Sequence, residues 1–141
     1  MRACSGAKKE SWVRDSLVLW RALLVLALLL VVYVSLIPAS GVEAFVGMDK
    51  VLHCLTYLCL YILVWLAFPG AVLRWSIHVT LLSFGILVEL LQSQTGYRFM
   101  EAADVLANIT GTGLGNLILS FSINKSSEPI RSVPVTQEKQ S

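Results

Sequence analysis

The sequence predicts an all-α membrane protein with four transmembrane helices, both termini cytoplasmic and a flexible C-terminal tail. Three observations carry this expectation. Hydrophobic residues make up 56% of the 141-residue chain and charged residues only 14%, where a soluble domain carries nearer a quarter charged. Four apolar stretches are each long enough to cross a hydrocarbon core of roughly 30 Å. Lysine and arginine collect on alternate connections instead of being spread evenly. The net charge of +2 is too small to imply a nucleic-acid partner. The length allows one domain, and the first partner implied is the lipid bilayer.

The chain divides into a cytoplasmic N-terminal tail (1–16), a membrane domain (17–121) and a C-terminal tail (122–141). The first span, Leu17 to Ile37, reads LVLWRALLVLALLLVVYVSLI and is closed by Pro38, Ser40 and Gly41. Arg21 lies one turn inside and is expected to snorkel back to the headgroups. A cleaved signal peptide is the alternative, since Val42-Glu43-Ala44 resembles a cleavage site. The apolar run is longer than the roughly 7–15 residues of a signal h-region, which favours a retained span. Lys50 to Phe68 forms the second span, ended by Pro69-Gly70. Arg74 to Ser93 forms the third, broken by Gln94-Thr95-Gly96, and Asp104 to Phe121 forms the fourth. From Ser122 the chain is polar, serine-rich and carries two prolines, which predicts disorder. Trp12, Trp20, Trp65 and Trp75 read as interfacial anchors.

Orientation follows from the flanking basic residues. Arg2, Lys8, Lys9 and Arg14 precede the first span, Arg74 lies between the second and third, and Lys125, Arg131 and Lys139 follow the fourth. The other two connections hold only Lys50 and Arg98, a ratio of eight to two. Both termini are therefore expected inside.

With that orientation, three segments place their polar residues at the outer end. Asp49, Lys50, His53 and Tyr57 begin the second span, Glu89 and Gln92 end the third, and Asp104 and Asn108 begin the fourth. Arg98 and Glu101 lie in the loop between the last two. Asp49, His53 and Tyr57 are four apart and share a helix face, as do Asp104, Asn108 and Thr112. At 1.5 Å per residue, His53 and Asn108 each lie roughly 6 Å below a helix start and Glu89 roughly 7 Å below a helix end. The three therefore share a depth. Helix capping is a bland explanation for Asp49 and Asp104, because a carboxylate suits a helix N-terminus. Glu89 has no such explanation. It sits in the last turns of its helix, where the dipole disfavours it, and a charge at a helix centre costs about 2.5–3.5 kcal/mol. His53 beside it has the chemistry of a proton shuttle. His78, near the other end of the third span, has no such company.

Ala103, Ala107, Gly111 and Gly115 recur every four residues on the fourth span, a small-residue ridge that lets another helix approach closely. Cys4, Cys54 and Cys59 lack metal or redox spacing, and the latter two read as small buried hydrophobes.

These residues give the chain a resemblance to the VanZ-like family of small bacterial membrane proteins, over roughly residues 49–115. The resemblance is carried by Asp49-Lys50, His53 and Tyr57, then by Gly85, Glu89 and Gln92, then by Arg98, Asp104, Asn108, Gly111 and Gly115. It implies a multi-pass protein of the bacterial cytoplasmic membrane. It also implies a link to glycopeptide antibiotics, because the family's namesake is associated with teicoplanin resistance. It implies no particular biochemical activity.

Three functional readings remain open. In the first, an outward-facing polar pocket handles a lipid-linked or other cell-envelope amphiphile. Lys50 and Arg98 then meet an anionic headgroup, Asp49, Tyr57, Gln92 and Asn108 line the pocket, and His53, Glu89 and Asp104 supply acid–base chemistry if the protein is an enzyme. In the second, the protein moves a proton or small solute. In the third, the polar cluster only locks the helices together. A His/Glu/Asp set has divalent-ion chemistry, but one histidine in a dispersed cluster falls short of a metal-ligand pattern, so no metal and no cofactor is expected. Oligomeric state is not specified by the sequence.

Overall fold

The computed structural model describes residues 3–37, 47–70, 72–95 and 101–126, with side chains described only between 13 and 122. Four helices account for nearly all of them: α1 (Ala3–Leu36), α2 (Met48–Ala67), α3 (Arg74–Ser93) and α4 (Ala102–Ser126). Each contains a segment long and apolar enough to cross a membrane. The chain thus has the architecture of a multi-pass membrane protein.

Local chemistry sets the helix limits. Gly47 precedes α2 at φ 90, a left-handed conformation that glycine adopts without a Cβ penalty. Its carbonyl accepts from the Val51 amide at 3.2 Å. The α2 helix closes where the Phe68 amide donates to Val64, and Pro69 then prevents continuation. Ser76 Oγ donates to the Leu73 carbonyl at the start of α3. Thr95 donates to the Gln92 carbonyl at its end, from both its amide and its Oγ1. The Asp104 amide donates to Glu101 as α4 begins.

Two limits differ from the sequence expectation. Residues 3–16, expected as a tail, belong to the same 34-residue helix as the first span. At 1.5 Å per residue that helix is roughly 51 Å long, well beyond a hydrocarbon core. Hydropathy marks where a helix leaves the apolar region, whereas Ala3, Ala7, Lys8, Lys9 and Glu10 are good helix formers that let it run on. Likewise α4 continues past Phe121 to Ser126, so the first five residues of the expected C-terminal tail are helical. No proline interrupts before Pro129, and Ser122 Oγ donates to the Ile118 carbonyl. The rest of that tail lies outside the described residues.

The packing is centred on α2, whose most extensive neighbour is α4. Gly111 permits the approach. A Cβ there would collide with the Cys54 carbonyl and lie 3.0 Å from the Leu58 amide nitrogen, both on the α2 backbone. Gly115 lies one turn further along the small-residue ridge, where a Cβ would sit 2.9 Å from Tyr61 Cβ. Leu24, Tyr57, Leu60, Tyr61, Ala67, Ile77 and Leu81 form the core, with Trp20, Trp65 and Phe84 packed against it. Trp20 and Trp65 are thus partly interior, whereas Trp75 is exposed. Most leucines and valines of α1 face outward, as expected where the solvent is hydrocarbon and the outside need not be polar.

At one end of the bundle Arg21 is exposed and meets the end of α2. Its Nε donates to the Ala67 carbonyl at 3.2 Å and its guanidinium lies over the Phe68 ring. The last carbonyls of α2 have no helical partner, and a cation there complements the dipole. Cys59 is exposed and Cys54 half-buried, so only Cys54 approaches the buried role expected of both.

Candidate functional site

The opposite end of the bundle is formed by the start of α2, the end of α3 and the start of α4. Here Glu89, Gln92, Asp104, Asn108 and Thr112 are all buried. Polar groups are inside and apolar groups outside, the reverse of a soluble domain.

Two layers can be distinguished. At the rim, Lys50 Nζ donates to Asp49 Oδ2 at 2.8 Å and to Glu101 Oε2 at 2.9 Å. It stands 3.7 Å from Asp104 Oδ1. The ammonium therefore has three carboxylates around it and links α2 to the beginning of α4. Glu101, which the sequence places in the loop before α4, enters this layer through its bond to Lys50.

Deeper in, His53 Nδ1 lies 3.2 Å from Asn108 Oδ1, and its Nε2 lies 3.9 Å from Glu89 Oε1. With the amide oriented this way, Nδ1 carries a proton and donates to Asn108. The other ring nitrogen, Nε2, faces the Glu89 carboxylate, and a proton on it, a water or a cation can link the two. Tyr57 and Asn108 are held on the α3 side by Gly85. A Cβ on that glycine would lie 2.6 Å from the Tyr57 hydroxyl and 2.8 Å from Asn108 Nδ2. Gly85 precedes Glu89 by four residues, so its role as the wall of this layer follows from the helical repeat. Thr112 ends the α4 polar row and turns its Oγ1 back to the Ile109 carbonyl at 3.0 Å.

The structure thus brings Lys50, His53, Tyr57, Glu89, Asp104 and Asn108 to one end of the bundle, with Asp49 at the rim. Gln92 serves elsewhere: its Nε2 donates to the Ser35 carbonyl of α1 at 3.0 Å, tying α1 to α3. Arg98, expected beside these groups, lies outside the described residues. Ala103 and Ala107 are half-buried on α4, and the glycines of the same ridge make its close contact with α2.

Electrostatically this end is acidic. Among the described residues it holds the carboxylates of Asp49, Glu101 and Asp104 around the Lys50 ammonium, and that of Glu89 beside His53. Two sets of donors have the spacing to hold a cation: His53 with Glu89 and Asp104, and Asp49 with Glu101 and Asp104, the donor atoms of each set lying within 4.8 Å of one another. In the second set the Lys50 ammonium already bridges the carboxylates.

A smaller polar group occupies the other half. His78, expected to lack a carboxylate like that beside His53, has its ring tilted 38° against Tyr61 with centroids 4.8 Å apart. Arg74 donates to Ser120 Oγ and lies over the Trp65 ring. The Tyr61 hydroxyl and Asn116 Oδ1 are buried and have no hydrogen-bond partner among the described residues.

Compared with family models, with curated proteins and with solved structures, the chain matches none. Its chemistry is therefore read from these residues alone.

Proposed function

We propose that this chain is a VanZ-like protein of a bacterial cytoplasmic membrane, both termini cytoplasmic, whose acidic end faces outward and takes the polar headgroup of a lipid-linked cell-envelope amphiphile. One observation carries the reading. Three helices with apolar outer faces bury two carboxylates and an amide at a single end, with a half-buried histidine against them. Intramembrane ionisable groups are expensive and mark ligand or ion sites by default. The apolar flanks accommodate an acyl or prenyl tail while the buried groups meet the head. Glycopeptide resistance belongs to the same reading through the family resemblance alone.

Lys50 enters this reading differently from its sequence expectation. Its charge is already satisfied by Asp49 and Glu101, so an anionic headgroup needs a further source of positive charge, either Arg98 or a bound cation.

Mass spectrometry of lipids co-purifying with the detergent-solubilised protein tests the proposal. One amphiphile class enriched over the surrounding membrane is the expected result. A lipid profile identical to the bulk membrane contradicts it.

Proton or small-solute transport is a second reading, favoured by the buried Tyr61 hydroxyl and Asn116 carbonyl in the opposite half. Proton flux in liposomes carrying a pH-sensitive dye separates the two.

A further inference from the structure

We infer that His53, Glu89 and Asp104 form a binding site for a first-row divalent cation of the zinc or manganese kind. The inference rests on the ligand-pocket reading above and names the element through which that pocket meets an anion. The three residues come from α2, α3 and α4, and one donor atom of each lies within 4.8 Å of the others. One imidazole nitrogen and two carboxylate oxygens are a donor set that such ions accept, whereas calcium and magnesium favour all-oxygen surroundings.

Three further features point the same way. With Nδ1 donating to Asn108, His53 directs Nε2 at Glu89 Oε1, 3.9 Å away, and in the neutral ring that nitrogen is the lone pair a metal takes. A metal-bound histidine commonly has its other ring nitrogen held in this manner. Asp104 is only 5% exposed, and its Oδ1 accepts no hydrogen bond among the described residues. Lys50 comes no nearer than 3.7 Å to that oxygen because Asp49 and Glu101 hold its ammonium at the rim. That buried oxygen thus has the Lys50 ammonium as an ion-pair partner at 3.7 Å but no hydrogen bond among the described residues, and a cation on its inner side would complete its surroundings.

The geometry needs closure. Donors about 2.1 Å from a tetrahedral ion lie about 3.4 Å from one another. The His53–Glu89 pair, at 3.9 Å, closes by about 0.5 Å, and the widest separation in the set, up to 4.8 Å, by up to about 1.4 Å, which side-chain rotations supply. Three protein ligands leave a fourth position open. That position suits an oxygen of the phosphate or carboxylate carried by the amphiphile's head. The cation would then supply the positive charge that Lys50, engaged with its own carboxylates, does not.

The test uses Zn²⁺ as probe on the full-length purified protein. The chain is stripped with chelator, incubated with Zn²⁺, passed through gel filtration and assayed for zinc per chain. About one equivalent is expected for the wild type, with affinity reduced at least about tenfold in His53→Gln, Glu89→Gln and Asp104→Asn. His78→Gln, which removes the histidine in the opposite half of the bundle, retains its zinc. Circular dichroism checks that each variant remains helical. A wild type holding under about a tenth of an equivalent overturns the inference without any variant. So does zinc that persists equally in Glu89→Gln and Asp104→Asn, since the ion is then elsewhere. The pocket reading fails separately: zinc bound at these residues with no enriched lipid leaves the metal site standing, and an enriched lipid without zinc leaves the pocket standing.

Discussion

Gly111→Ala and Gly113→Ala make the same chemical change two residues apart on α4, yet their expected effects are opposite. Replacing glycine by alanine inside a helix is favourable by about 1 kcal/mol, because the unfolded glycine has more freedom to lose. At Gly113 nothing lies within 4 Å of the added Cβ, so this gain stands alone. At Gly111 the Cβ collides with the Cys54 carbonyl and comes within 3.0 Å of the Leu58 amide nitrogen. Both are backbone atoms, so no rotamer change relieves the contact and α2 must move away from α4. Overpacking a well-filled site costs about 1–3 kcal/mol. The immovable backbone puts this case at the upper end, and separation also loosens Gly115 from Tyr61. The net expectation is a loss of about 2 kcal/mol for Gly111→Ala against a gain of up to about 1 kcal/mol for Gly113→Ala. Equilibrium unfolding by SDS titration in mixed micelles, followed by circular dichroism, measures the difference. Equal stability of the two variants would refute the close α2–α4 packing.

Arg21→Met removes the bond to the Ala67 carbonyl and the stacking over Phe68, and unfolding in micelles is expected to show a loss of about 1–2 kcal/mol. Gln92→Leu breaks the tie to Ser35 at a cost of about 0.5–1.5 kcal/mol, and lipid mass spectrometry on that variant should show retention unchanged. For topology, a cysteine introduced at Gly96 in a background lacking Cys4, Cys54 and Cys59 should react with an impermeant maleimide added to intact cells. A cysteine at Ser141 should not, and the reverse pattern would overturn the assigned orientation.

The spans were legible because apolar runs and the Pro69-Gly70 break are local features. The polar rows were legible for a similar reason: spacing by three or four fixes which side chains share a face, whatever the neighbours do. Those rows contain the His53, Glu89, Asp104 and Asn108 groups that the fold brings together. What depended on register between helices was not legible. Arg21 meeting Ala67, Gln92 meeting Ser35 and Lys50 meeting Glu101 all require knowing how far one segment is shifted along another. The extension of α1 back to Ala3 was hidden for a different reason, since polar helix formers carry no hydropathy signal.

The pocket reading stands or falls on Glu89, which is 2% exposed and faces His53. Glu89→Gln keeps the side chain's size and hydrogen-bonding capacity while deleting its charge. Thermal unfolding and the amount of co-purifying amphiphile should be measured on one sample of this variant, beside the wild type. If the carboxylate serves a ligand, the variant remains folded and loses the enriched amphiphile. A variant equally folded that retains it in full would contradict the ligand role, and one that unfolds would assign Glu89 to holding the helices together.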